Sequence, residues 1–379
     1  MFSVCGSQLE SNKSSRHWRS FAISAASVAS VALMAQTASA AESKSFAVNM
    51  FTVATIQTEE NCPHGLNPLS DVYYERELKR LGYEPDEIED LMKDFPSGGY
   101  QPIVINRGRD EDGNPVNIYA HPYAQPDPHL MLVEGKDGYG FNLDGKVSDD
   151  DFNDPVTGEK GIDNQLWRAI GCTHNYHISL PEIALYPYAQ WDGTRDTSGA
   201  WLITVSGVDD WNNDSEVTVT FDKAIEPIIR DANGNTVADM TFRVDPSSRS
   251  TSVAKGAIKN GELTTEPFHF FFVSDPGVMP EFDLKDARVR ATFTEDGEMD
   301  AYLGGFHDYM KFYWAMAQGG WTFEHSTGLD LPGIYNALKK VADFDPDPKT
   351  GQNRAVSGTW WFDAVPAYII SPENVAQNQ

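Results

Sequence analysis

Cysteine is scarce, with 3 in 379 residues. No Cys-x-x-Cys pair occurs, so a zinc ribbon or a thioredoxin-type redox pair has no motif to build on. Positive charge is also short: 29 Lys and Arg stand against 56 Asp and Glu, a net charge of −27. A surface of that sign repels nucleic-acid phosphates and anionic lipid headgroups and favours cations, so no nucleic-acid partner is expected. There is no G-x-S-x-G, H-E-x-x-H, Walker loop or G-x-G-x-x-G, which leaves no motif for a serine hydrolase, a zincin or a nucleotide cofactor. No apolar run reaches the ~20 residues that a membrane-spanning helix needs.

What is present begins with an address. Lys13, Arg16 and Arg19 precede the apolar, Ala/Ser-rich stretch Phe21 to Met34, and Ala38-Ser39-Ala40 follows. That order is an export signal cleaved after Ala40, giving a periplasmic or secreted chain with no membrane insertion after cleavage. Losing residues 1–40 removes Cys5 and leaves Cys62 and Cys172. In an oxidising compartment a lone pair implies one disulfide.

The mature chain divides into an N-terminal part, 41–100, packed on a β-rich body, 101–379. Phe46, Val48 and Met50 alternate in a first strand; Ser70 or Asp71 opens a helix ending near Gly82, and Pro85 opens a second. QPIVINR, VNIYAHP and HLMLVEG read as strands. Ile162, Leu166 and Ile170, four apart, predict a short helix. AWLITVSGV and SEVTVTFDKA alternate strictly, and Asn233-Gly234 and Asn260-Gly261 suit hairpin turns. LPGIYNALKKVADF is a late helix. Short alternating strands with regular turns predict a mainly β fold, a β-sandwich or jelly-roll-like sheet pair with an N-terminal helical hairpin and a few peripheral helices.

The densest acidic stretch is 137–164. Asn142, Asp144, Asp149, Asp151 and Asp163 supply the hard oxygen ligands that calcium takes from flexible loops. Its register departs from an EF-hand: with Gly145 at the glycine position, Gly140 falls where the first Asp belongs. A merely solvated acidic loop is the competing reading, and Asp343, Asp345 and Asp347 form a second, Pro-stiffened acidic turn. His174 and His177 share a helix face only if their segment is helical, and Pro181 argues against that. Among the aromatics, Trp191 and Trp321 stand beside Gly and polar residues and are candidates to stack on a sugar ring or another flat ligand.

The stretches DPVTGEKGIDNQLWRAIGC and CPHGLNP, with GELTTEP, resemble segments of exported bacterial proteins of uncharacterised function. The resemblance implies export and a disulfide between the first two segments, and it brings no catalytic residue with it. The expected function is an exported binding protein, possible ligands including carbohydrate, with one disulfide and calcium in the acidic loop. A carboxylate-dependent hydrolase of polysaccharide and a subunit of an envelope complex are the alternatives.

Overall fold

Residues 41–273 and 281–371 are described by the computed structural model; the expected export signal, 1–40, lies outside them. Eight antiparallel strands carry the architecture: β1 (Glu42–Val53), β2 (Trp201–Val208), β3 (Asn213–Lys223), β4 (Ser252–Lys259), β5 (Glu262–Thr265), β6 (Phe282–Phe293), β7 (Met299–Asp308) and β8 (Asn353–Ile370). Each pairs with the next, and β8 pairs back onto β1, so the sheet closes into a barrel. Closure leaves no free edge along this path. Three shorter strands attach outside it: 268–272 on β6, 344–346 on β8, and 240–243 parallel to β8.

This corrects the expected sheet pair. Alternation says which face of a strand is buried, and it says so equally for a sandwich and a barrel. In β3, Val217, Val219 and Phe221 are buried while the residues between them are partly exposed. The deciding contact is the pairing of β1 with β8, where Val53 faces Trp360 and Asn49 donates to Asp363 Oδ1 at 3.0 Å across 314 positions. No local pattern carries that information.

Two excursions leave the barrel. The first, between β1 and β2, holds α1 (Ser70–Arg80), α2 (Pro85–Met92), α3 (Gln101–Ile105), α4 (Gln165–Ile170) and α5 (Leu185–Thr197). The second, between β7 and β8, holds α6 (Tyr309–Ala317), α7 (Gly320–Thr327) and α8 (Leu331–Val341). The expected helices over Ser70, Pro85, Leu166 and Leu331 form. QPIVI is helical rather than extended, and the hairpin around Asp110 shrinks to 108–109 against 115–116. HLMLVEG forms no regular strand; its amides are used by other partners, Val133 N donating to Arg168 O and Glu134 N to Asn61 O. Cys62 and Cys172 are joined by a disulfide, as expected, with Cα atoms 5.7 Å apart.

The two excursions are tied by a buried ion cluster. Arg107 and Glu324 have fully buried side chains, with Nη2 to Oε1 at 2.8 Å. Glu324 also accepts from Tyr74 Oη at 2.9 Å, Tyr119 Oη at 2.6 Å and Leu331 N at 3.0 Å. Arg107 donates further to Gln125 and to Val104 O. So complete a set of partners offsets the cost of removing two charges from water.

Asp330 caps α8 beside this cluster, 3.7 Å from Arg107. Burial, then the Glu324 carboxylate, raises its pKa to about 7, with Arg107 opposing. A raised carboxyl stabilises the fold fully below its unfolded value, and that contribution is lost as pH rises through about 7. Asp330→Asn keeps a cap and removes the charge. We expect it to stabilise the protein by about 1–3 kcal/mol at pH 8 and to match the parent at pH 4, measured by urea unfolding at both pH values. Equal stability of the two proteins at pH 8 would contradict the charge penalty.

Candidate functional site

At one end of the barrel β1 finishes, β2 starts, and α5, α6 and α7 lie against the mouth. A narrow cleft with room for about 70 Å³ opens there. Phe51, Trp201 and Trp360 line it from the barrel, Pro187, Gln190, Trp191 and Thr194 from α5, Phe312 and Met316 from α6, and Phe323 from α7. Thr52, Val53, Tyr176 and Ala315 complete the wall, which contains no charged side chain. Its lining resembles that of small-molecule sites, apolar with few polar groups.

The aromatic walls are held by specific contacts. Trp191 meets Trp201 edge-to-face at 5.2 Å, and Phe51 lies 5.0 Å from Trp201. Trp191 Nε1 donates to Asn49 O at 2.7 Å, and Arg195 Nη1 donates to the same oxygen at 2.9 Å, so α5 is latched onto β1. Arg195 and Arg230 in turn share Asp192 and Asp196 outside the cleft. Behind Phe51 and Trp201 lies a much smaller void inside the barrel, lined by Phe221, Phe270, Phe272, Leu303 and Phe362 among others.

Two polar atoms near this mouth have no partner. Trp201 is 7 % exposed, and its Nε1 donates to nothing. His307, 1 % exposed, has Nδ1 at 2.8 Å from Asp308 O, an oxygen that only accepts. The proton therefore sits on Nδ1 and Nε2 is a bare acceptor, unpartnered. Its ring lies among Phe282, Phe312 and Trp360 at 5.4, 6.1 and 6.4 Å. Burial lowers its pKa, which keeps the imidazole neutral. Tyr176, on the cleft wall, is pushed up to about 12 by burial.

Of the aromatics singled out from sequence, Trp191 is buried in the cleft wall rather than standing on the open surface. Trp321 lies elsewhere, half-buried and stacked on His325 at 5.3 Å. LYPYAQWDG forms α5 despite Pro187 and Gly193, and that helix brings Trp191 to the mouth. Trp201, Trp360, Phe51 and His307 were indistinguishable from core residues in sequence. Phe51, Trp201 and His307 lie at or near strand ends, whereas Trp360 sits in mid-strand, so no local signal is common to all four.

The acidic loop turns largely onto its own backbone. Asp163 Oδ2 accepts from the amides of Leu143 at 2.7 Å and Asp144 at 3.2 Å. Burial raises both Asp163 and Asp343 to about 6, and the Asp144 carboxylate adds to the shift in each. Asp144 bonds Lys146, Asn142 Nδ2 donates to Lys146 O, and Asp151 accepts from Ser148 N and Oγ. Asp149 is exposed, and its carbonyl accepts from Lys136. Asp144, Asp163 and Asp343 are thus neighbours, while Asp151 is committed to the Ser148 turn. Among the described residues no group of three or more His, Cys, Asp and Glu is disposed to hold a metal ion.

The remaining candidates are also placed. His177 Nδ1 lies 3.5 Å from Cys62 Sγ, while His174 is exposed, so the two rings do not converge. Asp345 pairs with Lys285 and Arg354, and Asp347 accepts from the amides of Lys349 and Thr350. No family model matches the chain, and no curated protein or solved structure matches it either. Among the described residues no helix is long and apolar enough to cross a membrane.

Proposed function

We propose that this is an exported binding protein whose ligand is a small, uncharged molecule with an apolar ring, held in the cleft at the barrel mouth. The lining of the cleft carries the proposal: aromatic walls at the barrel mouth with no charged residue among them. A sugar would bury many hydroxyls there, and only Thr52, Tyr176, Gln190 and Thr194 offer side-chain partners besides the indoles. Unpaired hydroxyls cost free energy on burial, so a ligand rich in carbon fits better than carbohydrate. None of the lining residues is acidic, which favours binding over carboxylate-dependent hydrolysis at this site.

N-phenyl-1-naphthylamine, an uncharged fluorescent aromatic, is a suitable probe. We expect saturable binding of one probe per chain with a Kd on the order of micromolar, the range open to a rigid ligand of this size. Ala315→Trp places an indole into the cleft from α6 and should abolish that binding without changing the far-ultraviolet circular dichroism. Unsaturable binding, or binding that survives the filled cleft, would reject the proposal.

A further inference from the structure

We propose that the cleft selects a ligand with a neutral hydrogen-bond acceptor, a ketone, quinone or ester carbonyl, and that Trp201 Nε1 is the donor that reads it. The inference rests on the apolar-ligand reading above and goes one step further, to the ligand's polar group. Trp201 stands on the wall shared by the mouth cleft and the smaller void behind it. It is 7 % exposed, and its indole N–H has no partner. Indole is donor-only, and buried donors in folded proteins are almost always paired, so a buried free N–H on a binding wall calls for an acceptor.

Two of the neighbouring donors are already used. Trp191 Nε1 bonds Asn49 O at 2.7 Å, and Thr194 Oγ1 bonds Gln190 O at 3.1 Å. Asn49 O, which accepts hydrogen bonds from both Trp191 and Arg195, is occupied as well. The acceptor has to be uncharged because no cation lines the cleft to neutralise a carboxylate or phosphate. Burying such an anion against aromatic walls would leave it unpaired. The chain's charge of −27 opposes anions at long range too.

A near-isosteric pair separates shape from hydrogen bonding: 2-acetylnaphthalene, with a carbonyl, and 2-isopropenylnaphthalene, with a methylidene in its place. Both are titrated against bound N-phenyl-1-naphthylamine on the parent protein and on Trp201→Phe, which keeps an aromatic ring and removes the N–H. The ketone-to-alkene affinity ratio should fall about five- to tenfold in the variant, the scale of one neutral hydrogen bond. In the parent protein the bound ketone's carbonyl stretch should lie at the lower frequency of a hydrogen-bonded carbonyl, a reading that needs no variant to fold. If the alkene displaces the probe but the ratio is unchanged, or the carbonyl vibrates as in alkane, the acceptor inference fails and the apolar site stands. If neither compound displaces the probe, both fail.

Discussion

Replacing Arg107 with methionine should lower the free energy of unfolding by about 3–5 kcal/mol, the usual cost of stranding one member of a buried ion pair. Arg107 contributes both guanidinium nitrogens to Glu324, at 2.8 and 3.2 Å, and its side chain is completely buried. Without it Glu324 keeps the two tyrosine hydroxyls and the Leu331 amide, and it faces Asp330 with no cation between them. Adding Glu324→Gln should restore part of the loss, because the amide oxygen still accepts while the stranded charge is gone. Urea unfolding of the parent, both single variants and the double variant measures the coupling directly. A loss below about 1 kcal/mol for Arg107→Met would mean that the pair contributes no more than surface ions do.

Cys172→Ser should cost about 2–5 kcal/mol, since the disulfide closes a separation of 110 positions. Cys172 is fully buried at the end of α4, and Cys62 packs against the same core. The bond thus pins the start of the first excursion to its later half, close to where the chain turns toward α5. Intact mass under non-reducing conditions should be two hydrogens below the reduced mass, and a peptide map should join the two cysteines. Free thiols titrating at both positions in oxidising buffer would contradict the bond, and an unchanged urea midpoint for Cys172→Ser would contradict its weight.

Much of the local structure was legible and little of its assembly was. Asn260-Gly261 turns β4 into β5, with Lys259 facing Glu262, because both residues sit at positive φ, which suits that dipeptide. Gly82, at φ +95°, follows α1 for the same steric reason. The pairing of Phe46 with Pro366 is a different kind of fact: it joins two strands whose own patterns would be unchanged in a sandwich. The site was hidden more deeply still. Trp191 stood out by its polar neighbours, whereas Trp201 and Trp360 looked like ordinary strand residues, and it takes barrel closure to bring those two together and α5 to add Trp191. The acidic loop drew attention by composition, yet composition does not reveal that Asp163 spends its oxygen on two backbone amides.

The seam between β1 and β8 makes the barrel a structure completed by its two ends. Residues 45 and 367 are partners across it, so the chain leaves the fold next to where it entered. The last strand is 18 residues long and supplies neighbours to both β7 and β1. Until it is in place, two long strand edges stay open, and the wall of the cleft lacks Trp360. Contacts of such wide sequence separation make the search for the closed state slow. A chain cut short before β8 would therefore be left as an open, sticky sheet.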